Sequence, residues 1–178
     1  MSMIRKFRSK LRRLRRDKSG AASVEFVIVA PVYLGIMFSM FEAGWLMTQS
    51  MMLERALDVT VRDLRLGVQA DLSHDNFKDL ICNRASIIKD CEDNVLLELV
   101  PISTAADVPT TTVCRDRSSD VDPVVTFNAG ARSEIMYIRA CVVIDPLMPG
   151  MGLGLHLPLD ETGGFALVSY SAFVNEPG

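Results

Sequence analysis

Residues 21–45 read AASVEFVIVAPVYLGIMFSMFEAGW, and within them Phe26 to Phe41 is a run of 16 residues without a charge, bracketed by Glu25 and Glu42. Sixteen is short for a membrane-spanning helix, which needs about 20 apolar residues. Starting the helix at Ala21 removes the deficit: at about 1.5 Å per residue, the rise from Ala21 to Glu42 is roughly 31 Å, close to the thickness of the hydrocarbon core. Glu42 then reaches the far interface, and Trp45 stands just beyond it as an interfacial anchor. Pro31, near the midplane, removes one backbone donor and crowds the carbonyl of Val27, so a kink or a locally melted turn is expected there.

The residues before this run set its direction. Residues 1–20 hold nine basic side chains (Arg5, Lys6, Arg8, Lys10, Arg12, Arg13, Arg15, Arg16 and Lys18) against the single acid Asp17, a net charge of +8, while residues 21–178 carry ten basic against 21 acidic side chains, a net −11. A basic block abutting an apolar span places the N-terminus inside and everything after about residue 45 across the membrane. The expected organisation is a basic leader over 1–20, a transmembrane helix over 21–45 and an outer domain over 46–178. Ile4, Phe7, Leu11 and Leu14 recur at helical steps between the cations, the pattern of an amphipathic helix lying on anionic lipid. A nucleic-acid arm would share this charge, but a short basic tract joined to a spanning helix reads as a topology signal, and no nucleic-acid partner is expected. A secretory signal peptide fits less well, because the apolar region is long, opens on Glu25 and lacks a clean A-x-A site.

Glu25 lies about one turn inside the apolar zone, where a carboxylate is costly and calls for a named partner. The junction that contains it, Lys18-Ser19-Gly20-Ala21-Ala22-Ser23-Val24-Glu25-Phe26, resembles the class III signal of type IVb pilins and pseudopilins. The chain is similar in particular to the TadE-like minor pseudopilins of the tight-adherence (Flp) pilus. The residues that carry the likeness are Val24-Glu25-Phe26, Pro31 and Glu42-Ala43-Gly44, with Ala172 to Pro177 a less distinctive match to the family's C-terminal strand. Major Flp pilins usually carry Glu-Tyr and little after the helix, so Phe26 and a large outer domain favour a minor or pseudopilin role.

The resemblance implies cleavage after Gly20 by a prepilin peptidase, with Ala21 as the new N-terminus. It assigns to Glu25 the pairing of its carboxylate with the α-amine of a neighbouring subunit, which offsets the burial of both charges and sets axial register. The implied partners are the peptidase, other pilins or pseudopilins, an inner-membrane assembly platform and membrane lipid. The implied location is a bacterial inner membrane, with the N-terminus cytoplasmic and the domain periplasmic, or incorporation into a pilus. Assembly, priming or capping of the pilus is the expected role. A permanently anchored periplasmic binding or sensor module, never cleaved, is the alternative, and an anchored hydrolase a third.

Beyond Trp45 the helical period continues through Leu46, Leu53, Leu57, Val61, Leu64 and Val68, while Glu54, Asp58 and Arg62 line another face, so the spanning helix should run on into the outer domain and stop near Gly67. Met37, Met40, Met47, Met51 and Met52 along it read as adaptable packing surface, not a metal box. Ser73 caps a second helix carrying Phe77, Leu80, Ile81, Ala85 and Ile88. Strands are expected at Val95–Val100, Ile135–Ile144 and Phe165–Val174, the last with Phe165, Leu167, Ser169, Ser171 and Phe173 on one face and both faces covered. Pro109 to Asp122 and Pro146 to Gly164 read as exposed loops. The fold class is therefore α+β: a long N-terminal helix packed on a small, mainly antiparallel sheet.

Cys82, Cys91, Cys114 and Cys141 all fall on the translocated side, where two disulfides are expected. Three connectivities are compatible with the sequence; the short loop between Cys82 and Cys91 favours Cys82–Cys91 with Cys114–Cys141. No C-x-x-C is present, His74 and His156 are isolated, and G-x-S-x-G, HExxH and a Walker loop are absent, so neither a metal, a cofactor nor an enzymatic activity is expected. Gly150 to Gly154 reads as a turn, not a phosphate cradle. Asp120, Asp122 and Asp145 offer oxygen ligands for calcium but lack a regular loop spacing.

Overall fold

The structure, a computed structural model, describes residues 20–66, 73–110, 113–119, 123–128 and 130–175. Helix α1 spans Ala21–Arg65, α2 spans His74–Arg84, and three strands follow, β1 (Val95–Ile102), β2 (Ile135–Ile144) and β3 (Phe165–Val174). This is the expected α+β arrangement. The sheet is antiparallel throughout in the order β1-β2-β3, with Leu97 opposite Ala140 and Ala140 opposite Ser169. The leader over 1–19, Gly67 and Val68 lie outside the described residues.

The two ends of α1 differ in what surrounds them. Up to Phe41 no side chain is buried, whereas Glu42, Leu46, Gln49, Leu53, Ala56 and Thr60 follow at steps of three and four, joined by Leu57 and Val61, and face the domain. That stripe meets the inner face of the sheet, Leu97, Leu99, Ile138, Ala140, Val142, Leu167 and Phe173, in one core. α1 packs mainly across β3, where Ser169 and Ser171 on the inward face are small enough for a helix backbone to come close. The helix continues unbroken through Pro31.

Helix α2 starts where its cap dictates. The Ser73 hydroxyl accepts the backbone N–H of Asn76 at 3.3 Å, leaving Phe77 and Ile81 facing the core. It ends at Arg84, earlier than Ile88, yet Ala85 and Ile88 are still buried because the chain folds back through two turns rather than extending the helix. Cys82 and Cys91 close that fold-back in a disulfide with Cα atoms 5.5 Å apart. Arg84 donates to the Thr60 hydroxyl at 2.6 Å and to Asp63, fastening α2 to α1.

Two expectations about exposure are corrected. β3 is covered on one face only: Leu167, Ser169 and Phe173 are buried while Val168, Tyr170 and Val174 are exposed. It is an edge strand with α1 on one side, and the strand covered on both faces is β2. There the second layer is the 113–119 stretch, held by the Cys114–Cys141 disulfide and by the Arg139 guanidinium, which donates to the carbonyl of Val113 at 2.9 Å. The segment from Pro146 to Gly164 is likewise not a free loop, since it docks on α1 and buries Pro146, Gly154 and Gly164.

Leu57 is fully buried at the centre of the α1 stripe. Leu57→Ala is expected to lower domain stability by about 2–5 kcal/mol, read as a fall in the denaturant midpoint of the detergent-solubilised protein. Replacing Cys114 and Cys141 together by serine should cost about 2–4 kcal/mol in the same measurement.

Candidate functional site

The N-terminal half of α1 is the element whose surface the domain leaves unused. Gly20 caps it, with the N–H of Val24 donating to the Gly20 carbonyl at 3.1 Å, and Ala21 is the first helical residue. Glu25 follows one turn later and is exposed, as are Phe26 at 71%, Val27, Ile28, Val29, Val32 and Tyr33. An apolar surface presented all the way round a helix has two physical uses, contact with lipid or with other helices. The helix is long and apolar enough to cross a bilayer, and none of its most apolar stretch is buried in the domain, so it fits a single-pass membrane anchor. Met40, Met47 and Met51 are likewise exposed along α1.

Glu42 sits where the two regimes meet. Its side chain is fully buried, and its two oxygens each accept one backbone amide, Leu147 at 2.9 Å and Met148 at 2.8 Å. A carboxylate taking charge-assisted bonds from two successive N–H groups is well compensated for its burial. One turn earlier, the Ser39 hydroxyl donates to the Gly35 carbonyl at 2.7 Å and accepts the N–H of Leu153 at 3.1 Å. The chain at this second contact forms a short 3-10 turn, Gly152–His156, seated against the helix. Gly152 has φ +54°, and a Cβ there would stand 2.4 Å from the Ser39 Oγ and 2.9 Å from the Gly35 carbonyl oxygen. The close approach therefore requires glycine.

The far end of this loop is held by carboxylates that serve the backbone. Asp160 accepts the N–H of Thr162 at 2.9 Å, its hydroxyl at 2.7 Å and the N–H of Gly164 at 2.7 Å. Burial alone would raise its pKa, but these bonds and the nearby Arg117 outweigh that and hold it below the ordinary carboxylate range. Asp116 is lowered by the hydroxyl and N–H of Ser118. Asp145 is ion-paired with Arg117 at 2.7 Å, while Asp120 and Asp122 lie outside the described residues.

The structure thus brings Gly20, Ala21, Glu25, Phe26 and Pro31 onto one exposed helix, and places all four cysteines in the domain as Cys82–Cys91 and Cys114–Cys141. The part sequence reasoning missed is the acceptor role of Glu42 and Ser39. The one available signal was a carboxylate with a glycine two residues later at the mouth of the span. Glu42→Ala, by leaving two amides without acceptors, is expected to loosen the 147–156 loop by about 2–4 kcal/mol, seen as faster hydrogen exchange at Leu147 and Met148. Glu42→Gln should fall between, and Glu54→Ala, on the exposed face, should leave exchange unchanged.

No curated protein and no solved structure matched the chain. Residues 20–62 match the family model described as TadE-like protein. The matched stretch begins at the helix cap and takes in Val24-Glu25-Phe26, Pro31 and Glu42-Ala43-Gly44, so the likeness read from those residues holds, and over this stretch the chain is similar to TadE-like proteins.

Proposed function

We propose that this chain is a minor pilin or pseudopilin of the tight-adherence pilus, a structural rather than catalytic protein. Prepilin peptidase cleaves it after Gly20, and it then acts in pilus assembly, priming or capping. The observation that carries the reading is the coincidence of three boundaries at Gly20: the TadE-like match starts there, α1 is capped there, and the basic leader ends there. Cleavage at this point leaves Ala21 with an α-amine and Glu25 one turn, roughly 6 Å, further along the helix. When two such helices pack side by side, the amine of one meets the carboxylate of the other, and each charge offsets the other's transfer into lipid. The helix lies with its leader cytoplasmic and its domain periplasmic, as the positive block before it directs. Pro31, carried within the unbroken helix, lets it bend as subunits pack.

The N-terminal sequence and intact mass of the protein from membranes with and without prepilin peptidase test this reading. Loss of residues 1–20 only where the peptidase is present is expected; a leader retained in both points to a permanently anchored periplasmic module. Glu25→Ala should still be processed and inserted but fail to engage a neighbouring subunit, and unchanged piliation with this variant would remove the pairing.

A further inference from the structure

Between Asp145 and Asp160 the chain runs Pro146 to Leu159, 14 residues without an Asp, Glu, Lys or Arg. Leu147, Met151 and Leu155 stand exposed on it, at 53%, 46% and 63%. The segment is seated low on α1, against Glu42, Ser39 and Gly35, at and below the lower end of the buried stripe. At about 1.5 Å per residue, Ser39 lies roughly 4–5 Å and Gly35 roughly 10 Å back along the helix from Glu42. If Ala21–Glu42 spans the bilayer, the 3-10 turn is therefore beside the outer edge of the hydrocarbon and not above it.

Irregular backbone at that depth persists only where protein acceptors replace water. Five amides of this segment are supplied in that way. Leu147 and Met148 donate to Glu42 and Leu153 to Ser39, while Met151 donates to the Met148 carbonyl at 3.2 Å and Gly154 to the Met151 carbonyl at 3.1 Å. Between the turn and the helix runs an open groove of about 650 Å³, lined among others by Pro31, Gly35, Met40, Leu153 and His156. It opens onto the same apolar flank of α1 that the membrane would cover.

The geometry points to Pro146–Leu159 as a membrane-dipping loop, with Leu147, Met151 and Leu155 in the outer leaflet and a lipid acyl chain lying in the groove. The inference rests on Ala21–Glu42 being the span. The domain is then seated on the bilayer at two places, the helix and this loop, so its height and tilt are set before any subunit is met. Amphipathic segments of this kind penetrate by about 5–10 Å, the depth at which the turn lies.

Trp45 is the single tryptophan, which makes depth measurable. In a Trp45→Phe background, the full chain carrying Leu155→Trp is reconstituted at low protein content in phosphatidylcholine–phosphatidylglycerol vesicles with brominated acyl chains. Val32→Trp in the span and Val113→Trp in the domain serve as references. Quenching of about twofold or more is expected for Leu155→Trp by chains brominated near the headgroup, and for Val32→Trp by chains brominated deeper, with Val113→Trp unaffected. Quenching at Val32→Trp without quenching at Leu155→Trp would overturn the loop's insertion, keep the span, and leave the groove to protein packing. No quenching at either would overturn the span and the loop together.

Discussion

Two amide protons, from Leu147 and Met148, end on one buried carboxylate, Glu42, and the placement of the domain on its helix depends on that contact. A 45-residue helix with an apolar stripe could carry a sheet at several heights, because burial of apolar area is not directional. Hydrogen bonds are directional. The pair at Glu42, the Ser39 bond one turn below, and the tight seat of Gly152 against Ser39 and Gly35 fix one register of the loop on α1. Above that point the helix belongs to a protein core; below it, to whatever apolar medium surrounds it.

This division explains how one continuous helix meets two solvents. Its upper half obeys the ordinary pattern of a globular protein, with buried positions every three or four residues and charges outward. Its lower half is apolar on most sides and has no fully buried side chain, touching the domain where Ser39 and Gly35 meet the 3-10 turn. The polar side chain at the junction is fully buried and therefore costly to leave unpaired, and it is the one to which the loop supplies two donors.

Much of the fold was legible from local pattern. The start of α1 at Ala21 follows from the length a span needs, and its continuation past Trp45, the Ser73 cap and the cores of the three strands from periodicity and capping within short windows. The bounds of β2 and β3 coincide with their apolar runs. What local pattern could not show was pairing across distance. Glu42 finds its donors 105 and 106 residues later, and no periodic signal spans that interval. For the same reason Phe165–Val174 reads as a strand covered twice: its alternate faces are both small or apolar, and only the order of strands reveals that it lies at the edge. The loop after β2 misled in the opposite sense, since Pro and Gly announce turns but not what the turns lean on. In the candidate site, Gly20, Glu25 and Pro31 could be named because a short motif holds them together. Glu42 was legible as a marker of the interface and illegible as an acceptor.

The order in which the parts are synthesised has its own consequence. β3, the strand across which α1 packs, leaves the ribosome about 100 residues after the end of α1. Until β3 is made, the stripe from Leu46 to Val61 therefore waits without its cover, and few short-range contacts are available to shield it in the meantime. Such a nascent chain has reason to remain in the hands of a chaperone until β3 pairs with β2.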